Sequence, residues 1–143
     1  MGSKNTNIFF TILCWIIAVI FIYAGIGKII NPARFAIDID NYRMLSYVLV
    51  TITAIVFPWL EVLCGLLLIF GIWKKGAALI LLSLSFIFLI AISSALIRGL
   101  DITCGCFAVS GQATKIGYTR LVEDIILFGM ISLIYLKLLK SQH

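Results

Sequence analysis

Two cysteines separated by a single glycine are the residues of this chain best suited to do chemistry. Cys104 and Cys106 flank Gly105 in a polar stretch between two apolar ones. A disulfide between them needs Cα atoms within about 4.4–6.8 Å, and glycine permits the backbone bend that this requires. The ring would be small and strained, and a strained disulfide is more easily reduced than a structural one. The spacing therefore favours a redox-active pair.

Two other interpretations of this pair stay open, and we rank both below the redox one. Two thiolates can hold a soft metal ion such as copper or mercury. A structural zinc site needs four ligands, and the one histidine, His143, is expected at the opposite side of the membrane, so we assign no metal site. The pair could also be incidental to its loop. The other cysteines, Cys14 and Cys64, lie in apolar runs and are expected to pack as small hydrophobic residues.

Glu61 is the second candidate, because it is the one charge between Arg43 and Lys74. Carboxylates inside membrane helices are costly, so they usually face the interior of a bundle and are often functional. Pro58, three residues earlier, is expected to kink the helix, since proline frees a backbone carbonyl one turn back. Glu61 could accept a proton or bind a head group. A polar clamp between helices is an equally good interpretation.

Two cations are expected on the same side of the membrane as the cysteine pair. Arg120 lies one helical turn from Glu123 and Asp124, which favours a salt-bridged start to the last helix. Arg120 could alternatively favour the thiolate form of a nearby cysteine. Lys28, expected at the outer end of the first span, could do the same. Together with Glu61, Lys28 could also form a quinone or proton site, although no motif supports this beyond the intramembrane acid.

The elements that position these residues are predicted to lie in a membrane. Of the 143 residues, 63% are hydrophobic and 12% are charged, and the mean hydropathy is +1.19. These values exclude a soluble globular domain, a disordered chain and a nucleic-acid-binding module. A spanning helix needs about 20 mostly apolar residues. The runs with little or no charge predict four spans, at residues 8–27, 47–72, 76–97 and 119–139.

Four spans predict an all-α, up-down-up-down membrane bundle that forms one domain over residues 1–143. Both long connections then lie on one side and both termini on the other. In the first connection, Pro32 can begin a helix, and Phe35, Ile39 and Tyr42 recur at helical spacing, which predicts a short interfacial helix. Cysteine pairs that cycle as disulfides belong in an oxidising compartment. This places the cysteine loop outside and both termini in the cytoplasm.

Taken together, these features resemble the MauE branch of the DoxX-like membrane proteins, over nearly the whole chain. Besides four hydrophobic spans, the resemblance rests on three motifs, which are Tyr23-Ala24-Gly25-Ile26-Gly27-Lys28 running into Asn31-Pro32, Pro58-Trp59-Leu60-Glu61 followed by Gly65, and Cys104-Gly105-Cys106-Phe107. One departure concerns the residue after the last motif. Glycine often stands there in the family, whereas this chain has Ala108.

The resemblance implies a redox-associated protein of the bacterial inner membrane. MauE-like proteins are linked to methylamine utilisation, in which a disulfide-rich dehydrogenase subunit is matured outside the cytoplasm. Relatives accompany thioredoxin-like proteins, and some DoxX relatives belong to a thiosulfate:quinone oxidoreductase. Matched to this chain, the redox pair would be Cys104 and Cys106, and the intramembrane acid would be Glu61.

The leading hypothesis is a thiol–disulfide relay between Cys104 and Cys106 and an extracytoplasmic thioredoxin-like partner. Electrons could then pass to a quinone held near Glu61 and Lys28. One alternative is a non-catalytic membrane scaffold or assembly factor for a disulfide-containing periplasmic protein. The other is a carrier for a soft metal.

Overall fold

The computed structural model describes residues 2–99 and 118–141, with side chains described at 4–99 and 121–141. Within these ranges the fold is all-helical. Five helices follow one another, namely α1 (Gly2–Ile30), α2 (Pro32–Asn41), α3 (Tyr47–Phe70), α4 (Lys74–Ile97) and α5 (Tyr118–Lys140). Each predicted span falls on one of the four long helices, and α2 is the predicted short helix.

Three of the described helices are long and apolar enough to cross a membrane: α1 over Lys4–Ile30, α3 and α4. Three of the four predicted spans therefore coincide with helices that are suited to a membrane by their length and composition. α5 has 23 residues, which is length enough. Its first two turns and its last turns carry charged residues, however, so only 125–136 is free of charge. That run is shorter than the apolar stretch of about 20 residues that a span needs.

The four long helices contact one another in a closed ring. α1 packs on α3, α3 on α4, α4 on α5, and α5 on α1. One cluster of buried side chains is shared by all four helices, and its members are Cys14, Ile17, Ala18, Phe21, Cys64, Leu68, Ala77, Ala78, Leu81, Leu84, Ile131 and Ile134. Many large apolar side chains face outward instead, among them Trp15, Ile55 and Leu133. Lipid, not water, is the solvent that such a surface suits.

Two glycines allow α1 and α3 to approach each other closely. A Cβ atom on Gly25 would lie 2.9 Å from the carbonyl oxygen of Pro58, and one on Gly65 would lie 3.0 Å from that of Ala18. Both contacts are with backbone atoms, which cannot move aside as a flexible side chain can. Small residues at such crossings let membrane helices pack by direct backbone contact. The position of α1 along α3 is therefore set by these two glycines.

α2 follows α1 after a break at Asn31 and covers the N-terminal half of α3. Phe35 and Ile39 pack with Val50 and Ala54 of α3, and Tyr42 packs against α4. The periodicity of the apolar residues thus predicts the helix correctly. An interfacial helix would bury its apolar face in lipid. The apolar residues of α2 are instead covered by α3 and α4.

Candidate functional site

A buried ion pair joins α1 to α3. The Nζ atom of Lys28 lies 2.7 Å from Oε1 and 2.8 Å from Oε2 of Glu61, so the ammonium group donates to both carboxylate oxygens. The two side chains are only 4% and 2% exposed. A buried charge without a partner is strongly destabilising. Each of these residues therefore requires the other.

This pair lies deep within the helices. Glu61 is near the middle of α3, about 21 Å along the helix axis from Tyr47. Lys28 belongs to the last turn of α1, and the close crossing of α1 and α3 sets that turn against the middle of α3. Gly25 lies one turn before Lys28, and Gly65 lies one turn after Glu61. Lys28 thus lies at the end of its span, as expected, but it faces the middle of α3 and not the end of α3, because α2 continues the chain beyond α1.

Two aromatic rings enclose the ammonium group of Lys28. Its Nζ atom lies 5.0 Å from the ring centre of Phe35 and 4.8 Å from that of Phe88. Both distances are within the range for an attractive cation–π interaction. The ring of Phe57 meets Phe88 edge-on at 6.0 Å. Because Phe35 is on α2 and Phe88 is on α4, the cation of α1 is held by three other helices.

A small cavity of about 30 Å³ lies beside the ion pair. Its polar lining comes from all four long helices, through Lys28 on α1, Glu61 on α3, Ser85 on α4 and Asp124 on α5. A water molecule needs roughly 10–15 Å³ of such space, so the cavity has room for one or two waters. An engineered cavity that binds benzene has a volume of about 150 Å³. The space beside the pair in this structure is therefore smaller than a cavity that holds a six-membered ring.

A second cavity, of about 180 Å³, shares Phe88 with the first. It is large enough for a ring, but its lining is almost entirely apolar, with hydroxyl groups only on Tyr42 and Thr53 among the described residues. Neither Lys28 nor Glu61 lines it. The ion pair and the space suited to a ring are thus separate, and we derive no electron-transfer step through a quinone at the pair.

The other predicted residues divide between described and undescribed parts of the chain. Pro58 is buried one turn before Glu61, and α3 runs through it as one helix. The cysteines of the predicted redox pair lie outside the described residues, together with Gly105, and so does the side chain of Arg120. Cys14 and Cys64 are free and buried in the apolar core, as predicted. Within the described ranges, no group of three or more His, Cys, Asp or Glu residues could hold a metal ion.

Three residues of the site escaped the sequence reasoning. Ser85 is buried and lines the small cavity, but a lone serine in an apolar run carries no signal. Phe88 is one of ten phenylalanines, and nothing in its neighbourhood marks it as a partner of a cation. For Asp124 the sequence predicts only a position at the start of the last helix. The signal that the sequence offers is an acid in the second turn of an apolar helix. In the structure this residue lines the cavity.

Comparison with known proteins matches this chain to a protein family. The family model described as methylamine utilisation protein MauE matches residues 6–137. The chain is also similar to the methylamine utilization protein MauE of Methylophilus methylotrophus, with 30% identity over 115 residues. The alignment covers 80% of this chain and 60% of that protein, so the chain spans less than two thirds of its relative's length. No solved structure gives a significant match.

Proposed function

Since the chain belongs to the MauE family of methylamine utilisation proteins, we propose that it is a membrane thiol–disulfide exchange protein that serves this process. The observation that carries the proposal is the Cys104-Gly105-Cys106 sequence in the connection between α4 and α5. Its partner is an extracytoplasmic protein that is thioredoxin-like or contains disulfides. Such a partner suits two thiols one residue apart, because a disulfide between them is strained and is therefore readily reduced and exchanged.

We place α5 in the membrane as a fourth span, which completes a four-helix bundle. Its 23 residues are long enough, it packs on α4 and α1, and its Ile131 and Ile134 are buried in the common core. Glu123 and Asp124 stand near the N-terminus of α5, where acids suit the helix dipole. The α1–α3 and α4–α5 connections then share one side. Because disulfide-cycling cysteines suit an oxidising compartment, we assign that side to the exterior of the bacterial inner membrane and both termini to the cytoplasm.

The exchange itself is balanced without a further oxidant or reductant. The thiolate of one cysteine attacks a sulfur of the partner's disulfide, which forms a mixed disulfide and releases a partner thiolate that takes up a proton. The second cysteine then attacks the mixed disulfide. A disulfide between Cys104 and Cys106 forms, and the partner leaves as a dithiol. The same steps in reverse pass the disulfide to the partner, so the potentials of the two pairs set the direction.

In this proposal Lys28 and Glu61 position the helices and do not react. Their ion pair joins α1 to α3. The ring of Phe88 on α4 contacts the ammonium group of Lys28, and Asp124 of α5 lines the adjoining cavity. The segment with the cysteines runs from the end of α4 to the start of α5. A polar centre shared by all four long helices therefore helps to fix both ends of that segment.

Partner trapping tests the exchange. In cells, Cys106→Ala or Cys104→Ala should accumulate a mixed disulfide with the partner, because the resolving thiol is missing. The product should appear as a heavier species that collapses on reduction. Cys64→Ala is the matched control, since Cys64 is buried in the core and should trap nothing. If neither single variant traps any species, the exchange function is refuted, and a static scaffold becomes the better interpretation.

A second experiment tests the orientation. Intact cells are treated with a membrane-impermeant thiol reagent that adds mass, with and without mild reductant. We expect labelling of Cys104 and Cys106 only after reduction, because an accessible, easily reduced disulfide gives this pattern. Labelling without reductant would show free thiols, which favours a soft-metal carrier or a reduced resting state over a disulfide. Labelling only after cell lysis would contradict the exterior placement of the cysteines.

A further inference from the structure

A cavity lined by lysines lies at the end of the helices that is remote from α2. It has a volume of about 450 Å³ and is formed by the turn between α3 and α4, the first turn of α4 and the C-terminal end of α5. Its polar lining consists of Lys74, Lys75 and Ser141, and Leu138 and Trp73 are among its apolar residues. Both lysines are half-buried and line this open cavity.

No acidic side chain of the described residues balances these charges. The acids described are Asp38, Asp40, Glu61, Glu123 and Asp124, which lie on α2, in the middle of α3 and in the first turns of α5. Lys137 is nearby, but it faces α1. Its Nζ atom donates to the carbonyl oxygen of Thr6 at 3.1 Å and lies 4.6 Å from the ring centre of Phe10. Lys74 and Lys75 thus form a positive site that lacks an acidic partner within the described protein.

The cavity lies at the ends of two helices that are suited to span a membrane, where lipid headgroups are expected. The turn is tight, because Gly71 and Trp73 both adopt left-handed backbone conformations, with φ of 75° and 49°. The side chain of Trp73 is 82% exposed, directly at the end of an apolar helix that is long enough to span a membrane. Tryptophan in such a position marks the interface between membrane and water. We therefore infer that the lysines beside it lie at the level of phospholipid phosphates.

We propose that this cavity binds the headgroup of an anionic phospholipid. Lys74 and Lys75 neutralise the phosphate, the hydroxyl group of Ser141 donates a hydrogen bond to it, and Leu138 contacts the apolar part of the lipid. Basic pockets between membrane helices recognise anionic headgroups in this way. The site uses neither the cysteines nor the buried ion pair, so it stands independently of the exchange function.

Binding to the purified full chain tests this site. The chain in micelles of a neutral detergent is titrated with phosphatidylglycerol or phosphatidylcholine, and bound lipid is measured by native mass spectrometry. We expect preferential binding of phosphatidylglycerol. The double substitution Lys74→Gln and Lys75→Gln should weaken it about 30-fold, as two lysines near an anionic headgroup are lost. Lys4→Gln with Lys140→Gln removes the same charge outside the cavity and should weaken binding less than about threefold.

A steric variant tests the cavity without any change of charge. Gly76 lines the cavity, and a Cβ atom there would meet nothing within 4 Å, so Gly76→Leu should fill space and block the lipid while the fold is kept. Equal losses in the two glutamine pairs, or no preference for phosphatidylglycerol, would overturn the proposal. So would competition by glycerol 3-phosphate at equal concentration, because that result would identify a site for free anions.

Discussion

Removing one partner of the Lys28–Glu61 pair should cost far more stability than removing both. Lys28→Met leaves the carboxylate of Glu61 in a site that is 2% exposed, where no other cation is paired with it within the described protein. Glu61→Leu leaves the ammonium group of Lys28 equally buried. An uncompensated buried charge costs about 3–5 kcal/mol. Replacing both members of such a pair with apolar residues of similar size is often neutral or stabilising.

The magnitudes separate the two outcomes clearly. If the single effects were additive, the double variant would lose about 6–10 kcal/mol, which is comparable to the whole stability of many domains. If the charges only compensate each other, the double variant should fall within about 1 kcal/mol of the parent protein. The measurement is the free energy of unfolding in mixed micelles for the parent, both single variants and the double variant. Lys140→Met, at an exposed position, should change stability by less than about 0.5 kcal/mol.

A double variant that is as unstable as the sum of its parts would refute the reasoning, because the two residues would then act independently. The same four proteins also test the positioning role. If the pair fixes the register of the helices, the stable double variant should trap less of the redox partner than the parent does once Cys106→Ala is introduced. Trapping equal to that of the parent would show that the helices keep their register without the pair.

Three further predictions follow from the packing. Gly25→Ala should lower the free energy of unfolding by about 1–3 kcal/mol, because its Cβ atom collides with the backbone of α3; Gly129→Ala, where a Cβ atom meets open space, should leave it nearly unchanged. Cys14 and Cys64 should resist thiol reagents in the folded protein and react after denaturation, as mass spectrometry would show; rapid labelling of either would contradict its burial. Phe35→Ala should cost about 3–5 kcal/mol in the same unfolding assay, because Phe35 is 3% exposed and covers both α3 and Lys28; a loss below 1 kcal/mol would show that α2 is not docked.

The helices themselves could be predicted closely from the sequence. Each apolar run with little or no charge coincides with a long helix, because about 20 consecutive apolar residues have few stable alternatives to a helix in lipid. Pro32 begins α2, since its missing N–H is not needed at a first helical position. For α5 the spanning role stays a prediction, because Glu123, Asp124 and Lys137 leave only residues 125–136 of this helix free of charge.

The depth of Lys28 could not be predicted in the same way. A lysine after a long apolar run ordinarily marks the end of a span, because its charge reaches the headgroups. Here two glycines allow α1 to pack closely on α3, in a register that brings Lys28 to the carboxylate of Glu61, 33 residues further along the chain. Sequence spacing reports which residues share a helical face. It does not report which turn of one helix meets which turn of another, and that register decides the site.

In the proposed function the ion pair and the cysteine motif have separate roles, and the packing of the described helices gives a reason. A disulfide that exchanges readily adds little stability to the loop that contains it. The ends of the α4–α5 connection must then be fixed by the helices themselves. Between helices in lipid, apolar contacts alone give little specificity, whereas a buried ion pair accepts only one register. The Lys28–Glu61 pair, with Phe88 on α4 and Asp124 on α5 around the same cavity, supplies that register to both helices that lead to the cysteines.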